Sequence, residues 1–174
     1  MSNADWSGLL MKRVRIPRSI FVVASTISGL INLALSLVPL VVIMLFVGAP
    51  IRWTWIFLPV AFLVLGTFTL GMSLAFSALS VYFADAREMY KAASPAVMYL
   101  TPIIYPLSIV PEKFHWLIKL NPLTYLLQLF RGPIYYQIIP TGMTILVAAL
   151  AASLVLTAGW TIFRHLAPGF HVHI

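Results

Sequence analysis

Charged residues cut this chain into long apolar runs. Four uncharged stretches lie between them, 19–51, 53–84, 92–111 and 132–163. A helix rises 1.5 Å per residue, so about 20 apolar residues cross the hydrocarbon core of a bilayer. Every stretch reaches that length, the third only just. The expected spans are 20–47, 55–80, 93–111 and 142–163. The first holds 19 Ile, Leu, Val, Met or Phe residues. Together these favour insertion by about −8 kcal/mol, at about −0.4 kcal/mol each. Asn32 and a few hydroxyls cannot cancel that. The turn Gly48-Ala49-Pro50 leads to the second span, which Trp53 and Trp55 open as interfacial anchors. Its Gly66, Gly71, Ser73 and Ser77 permit close helix contact.

The third expected span carries Pro102, Pro106 and Pro111 in or just past its second half. An interior proline removes a backbone donor, and membrane depth tolerates the break only where protein or water satisfies the freed carbonyl. That half therefore faces a cavity or partner helices rather than lipid. Residues 112–131 are amphipathic and too short to span. Phe114, Leu117 and Ile118 make one helical stripe. Asn121-Pro122 reads as an N-cap with proline at the first helical position. Leu123, Leu126, Leu127 and Phe130 make a second stripe at i, i+3, i+4, i+7. Two short helices of this kind form a hairpin lying in or dipping into the interface. The expected fold is all-α: a polytopic integral membrane protein with four transmembrane helices and an outward-side amphipathic helical hairpin.

Composition agrees. Hydrophobic residues are 61% and charged residues 9% of the 174 positions, too few charges to cover a soluble globule. The apolar run from Ile20 to Val47 is too long for a signal-peptide core. The net charge is +7. In such a chain it reads as topology rather than as a nucleic-acid surface. Lys12, Arg13, Arg15, Arg18, Arg87, Lys91 and Arg164 fall on one face, and Arg52, Lys113, Lys119 and Arg131 on the other. That bias places the N-terminus in the cytoplasm.

Candidate chemistry is sparse. With no cysteine, disulfides and thiol catalysis are excluded. His115, His165, His171 and His173 are scattered, and the last two read as a frayed tail before they read as metal ligands. Asp5, Asp85, Glu88 and Glu112 fall outside the spans, which argues against an ion-coupled carrier. A GxxxxGK[ST] phosphate loop is absent, so nucleotide chemistry belongs to another subunit. The N-terminal segment SNADWSGLLMKRVRIPRS sets Trp6, Leu9, Leu10 and Arg13 on one helical face. It is either a membrane-surface anchor or a helix that docks a cytoplasmic partner. The segment 81–92, with Phe83, Asp85, Arg87 and Glu88, is either a solvated turn or a second docking element. Tyr99, Tyr105, Phe114, Trp116, Tyr125, Tyr135 and Tyr136 form either an interfacial belt or a surface on which sugar rings stack. Arg131 either pairs with a phosphate or reaches the headgroups.

The run VYFADAREMYKAASPAVMYLTPIIYPLSIVPEKFHWLIKLNPLTYLLQLFRGPIY resembles the C-terminal region of type-2 ABC exporter permeases, and most of all the branch exporting O-antigen, teichoic acid and capsular polysaccharides. The matching residues are Tyr82-Phe83 before Asp85, Pro102-Ile103-Ile104-Tyr105-Pro106, Asn121-Pro122-Leu123-Thr124 and Phe130-Arg131. The segment KRVRIPRSIF resembles the family's basic entry into its third span. The resemblance implies a bacterial inner-membrane, multi-pass permease that works as a homodimer. Its partner would be a nucleotide-binding subunit that binds ATP and Mg, with no cofactor in this chain and a lipid-linked glycan as cargo.

It assigns residues 1–18 and 81–92 to cytoplasmic coupling, through Trp6, Leu9, Leu10, Arg13, Phe83, Asp85 and Arg87. It assigns 112–138 to an outward gate, and beside that gate Tyr99, Tyr105, Trp116, Tyr125 and Arg131 are the candidates for a glycan path. Two departures stand out. The family's arginine before the aspartate is Ala84 here, and the chain begins just before the family's third span, as an N-terminally truncated permease would. The alternatives are a drug or small-lipid exporter of the same superfamily and a membrane fragment that does not transport.

Overall fold

The computed structural model describes residues 18–83, 85–103, 105 and 110–166. Their regular secondary structure is helical, with no strand among them. Helix α1 spans Arg18–Val47, α2 Leu58–Tyr82, α3 Ala86–Leu100, α4 His115–Leu120, α5 Pro122–Arg131 and α6 Gly142–Leu166. Short 3-10 turns at Trp53–Phe57 and Glu112–Phe114 lead into α2 and α4, and a π turn at Gly132–Tyr136 follows α5. Three helical stretches, Ser19–Val47, Trp53–Val81 and Gly142–Leu166, are long and apolar enough to cross a bilayer. They coincide with the first, second and fourth expected spans.

The boundaries follow from local chemistry. At the end of α1, Gly48 takes a left-handed φ of 73°. Its N–H donates to the Leu45 carbonyl at 3.3 Å, and the Ala49 N–H donates to the Met44 carbonyl at 2.9 Å. This pair of bonds satisfies the orphan carbonyls of the last turn, and glycine supplies the conformation without a Cβ clash. Pro59 sits in the first turn of α2, where its missing N–H costs nothing.

The third expected span behaves differently. Helix begins at Ala86, inside the charged segment 81–92, and ends at Leu100. Thr101, with ψ of 130°, is extended. Asp85 precedes that helix and Glu88 lies in its first turn, where negative charge suits the helix dipole. At the other end, Pro102 disfavours helix at the residue before it.

Packing centres on α2 and α6, the most extensive helix pair. The two run parallel. Near their first turns Ala61 meets Ala148 and Ala152 in a core with Phe68, Leu126 and Leu129. Near their last turns Leu74 and Ala78 meet Phe163 and Val22. Midway, Gly71 and Gly159 bring the backbones together. A Cβ added to Gly71 would lie 2.6 Å from the Leu156 backbone, and one on Gly159 would collide with the Gly71 carbonyl oxygen. Helix α1 runs antiparallel to α2 and crosses it where Leu30 abuts Gly66. Since α2 and α6 point the same way, the chain between them must return from one end of the bundle to the other, and α3 carries most of that return.

Candidate functional site

Among the described residues, charged side chains and several of the singled-out aromatics lie toward the two ends of this bundle. At one end lie the last turns of α2 and α6, the first turns of α1 and the start of α3. Phe83 and Asp85 are exposed there. Glu88 and Lys91, on successive turns of α3, pair at 2.7 Å in full solvent contact, a geometry that contributes little to stability. Trp6, Leu9, Leu10 and Arg13 lie outside the described residues, as does the tail bearing His171 and His173, and of Arg87 only the helical backbone is described.

At the other end the α1–α2 connection is stitched to the π turn after α5. The Thr54 hydroxyl donates to the Pro133 carbonyl at 2.9 Å, and the Gln137 amide donates to the Pro50 carbonyl at 3.3 Å. Gln137 is the described non-glycine residue with a positive φ, 57°, a conformation that surrounding contacts must hold in place. Trp53 is 89% exposed and Tyr135 and Tyr136 meet edge to face with centroids 5.1 Å apart. Exposed aromatics of this amphipathic kind suit a bilayer interface.

The residues expected along a glycan path are only partly brought together. The Tyr105 hydroxyl donates to the Tyr99 carbonyl at 2.7 Å. Arg131 donates to the Ile103 carbonyl at 2.5 Å, so its guanidinium is tied to the same segment. Tyr125 packs against the core of α2, α5 and α6, next to the Phe62–Phe130 edge contact at 5.4 Å. Trp116 is exposed on α4. Lys113 lies 5.1 Å from the centre of the Phe114 ring, a favourable cation–π placement.

Between the two ends runs a groove of about 840 Å³, walled by α2 and α3 and closed by Val22 and Ser25 of α1 and Leu123 of α5. Its floor is mostly apolar, with Phe68, Met72 and Phe76, yet Thr69, Ser73, Ser77 and Ser80 set a row of hydroxyls along α2, faced by Ser94, Tyr90 and Lys91 of α3. Ser73 and Ser77 were legible as small residues at helical spacing. Thr69, Ser80 and Ser94 were not singled out, although the i, i+4, i+8, i+11 register along α2 carries the signal. No trio of His, Asp or Glu among the described residues is placed to hold a metal ion.

One further contact escaped the sequence. Thr101 and Pro102, just past α3, are fully buried. The Asn121 amide donates to the Thr101 hydroxyl at 2.9 Å while its carbonyl oxygen caps α5 by accepting from the Leu123 N–H at 3.0 Å.

Comparison with known proteins places these features in a family. The sequence profile of the ABC-2 type transporter matches residues 9–135, most of the chain. The chain is 29% identical over 154 residues to the O-antigen export system permease protein RfbA of Klebsiella pneumoniae, covering 82% of this chain and 59% of that protein. It is 26% identical over 157 residues to the protein of the same name from Myxococcus xanthus, covering 89% of this chain and 60% of that protein. The chain thus matches about three-fifths of the length of these relatives.

Proposed function

Since this chain belongs to the ABC-2 type transporter family, we propose that it acts as the membrane permease of an ATP-driven exporter whose cargo is a lipid-linked polysaccharide. The profile match over residues 9–135 carries this reading, and the RfbA relatives, both named for O-antigen export, support the cargo class. The chain is an integral membrane protein, with three long apolar helices. In this reading it sits in the bacterial inner membrane and crosses four times. The parallel course of α2 and α6 supports the fourth crossing, since α3 and the residues after it must carry the chain back. Two copies flank the translocation path, and a separate nucleotide-binding subunit binds ATP and Mg.

The ATPase engages the end of the bundle bearing Phe83, Asp85 and Arg87, together with the segment of Trp6, Leu9, Leu10 and Arg13. The gate is formed at the opposite end by α4 and α5, a re-entrant hairpin. Its depth is supported by Leu123 reaching the groove beside Phe68, while Pro133 at the other end of α5 meets Thr54. Tyr99, Tyr105, Trp116, Tyr125 and Arg131 line the way out. ATP binding shifts the permease between conformations only as far as the motor binds one better than the other.

The experiment is co-purification from membranes followed by export of lipid-linked O-antigen into proteoliposome lumens. Asp85→Lys reverses the charge of the exposed handle. It is expected to lower recovery of the ATPase subunit several-fold and export with it, while membrane insertion stays intact. Export and recovery equal to the parent would remove Asp85 from the coupling surface. A parent chain that recovers no ATPase would refute the exporter reading.

A further inference from the structure

We propose that the hydrogen bond between Thr101 and Asn121 is the joint by which α3 positions α5, so that a push on the charged end of α3 arrives at the opposite end of the bundle as a displacement of α5. This deepens the exporter reading above and rests on it. The observation behind it is a contrast along one helix. From Glu88 to Leu100 every residue of α3 is exposed, and its hold on the bundle is slight, an edge contact of Tyr90 with Phe76 at 5.2 Å being the ring contact there. Immediately past its last turn the surroundings change, and Thr101 is only 1% exposed. A rod gripped weakly along its length and firmly at its tip transmits motion to whatever grips the tip.

That tip is built as a head-to-tail relay. The Thr101 hydroxyl donates to the Val97 carbonyl at 2.9 Å, in the last turn of α3. The same oxygen accepts from the Asn121 amide at 2.9 Å. The Asn121 carbonyl oxygen accepts from the Leu123 N–H at 3.0 Å, in the first turn of α5. One hydroxyl and one amide therefore join the negative end of one helix dipole to the positive end of the next. Arg131 at the far end of α5 holds the Ile103 carbonyl. Both ends of α5 are thus fastened to residues 101–103. With two fastenings α5 follows the tip of α3 as a body, where one would let it pivot. Its other side rests on α2 and α6 through the buried Leu126 and Leu129. That pair is locked at Gly71 and Gly159 and supplies the fixed frame.

Thr101 and Asn121 are positioning residues, and the test must separate positioning from mere support of the fold. Thr101→Val keeps the shape and removes the acceptor. Asn121→Ser keeps a cap for α5 but is too short to reach Thr101. Thr101→Ser preserves the joint. The chain contains no cysteine, so Tyr135→Cys, at an exposed position just past α5, gives a single reporter for a membrane-impermeant maleimide. Labelling is followed with and without ATP in membranes holding the nucleotide-binding subunit.

In the Tyr135→Cys parent, ATP changes the labelling rate. Thr101→Val and Asn121→Ser are each expected to reduce that response about fivefold, the equilibrium effect of one net hydrogen bond. The partner's hydrolysis rate should stay at the parent value, the thermal midpoint should fall by no more than about 2–4 °C, the worth of one hydrogen bond in a chain of this size, and Thr101→Ser should respond like the parent. A full ATP response in both Thr101→Val and Asn121→Ser overturns the joint and leaves the exporter reading standing. A response lost equally in Thr101→Ser also overturns it, because the contact would then serve packing alone. No ATP response in the parent refutes the exporter reading, and the joint falls with it.

Discussion

Glycines show how one position's chemistry depends on what faces it. Gly71 and Gly159 meet backbone to backbone, whereas Gly29 of α1 has nothing within 4 Å of where a Cβ would stand. Gly159→Ala must push α6 off α2, because the colliding atom is a carbonyl oxygen that no rotamer can move. We expect a loss of about 1–3 kcal/mol, the usual cost of overpacking. Gly29→Ala should instead stabilise by about 0.5–1 kcal/mol, since glycine inside a helix costs entropy and nothing there clashes. Thermal unfolding of both variants in one detergent reads the difference, and a Gly159→Ala midpoint at or above the parent's would contradict the locked contact. Gly71 was legible in the sequence as a small residue at a helix contact. Gly159 was not, because nothing in its neighbours tells a glycine that faces a helix from one that faces lipid.

Helix α5 was the element most nearly written in the sequence. Asn121-Pro122 predicts its start, and the structure gives Asn121 as the cap and proline in the first turn. The stripe Leu123, Leu126, Leu127, Phe130 correctly includes Leu126 but passes over Leu129, which is fully buried. The reason is geometric. A helix laid on one neighbour buries one stripe, whereas α5 sits against both α2 and α6, so its covered arc is wider. Leu129→Ala should therefore cost about 2–5 kcal/mol, within the range for a buried leucine. The half-buried Leu127→Ala should cost clearly less. Limited proteolysis across the α4–α5 segment would report the loosening, and equal protection in the two variants would argue against this seat. Helix α3 was less legible. Its segment 81–92 read as a solvated turn or a docking element, yet Asp85 and Glu88 favour a helix start where they stand; the helix then runs on through Pro95 and stops before Pro102.

For the molecule as a whole, the apolar stretches revealed three of its long helices, while the lateral arrangement stayed hidden. Pairing of α2 with α6 depends on small residues far apart in sequence, and no local pattern records which partner a small residue meets. Sidedness can be tested on the cysteine-free chain. Trp53→Cys should react with an impermeant maleimide in intact cells, and Phe83→Cys only after permeabilisation; the opposite pattern would invert the assignment of the two ends. The notch around Gly71 also has a consequence during biosynthesis. About 84 residues separate the end of α2 from the end of α6, so at 5–20 residues per second a ribosome needs about 4–17 s to deliver the partner. Throughout that interval the nascent chain presents an open seam to the translocon, and whichever small-faced helix arrives there first competes for it.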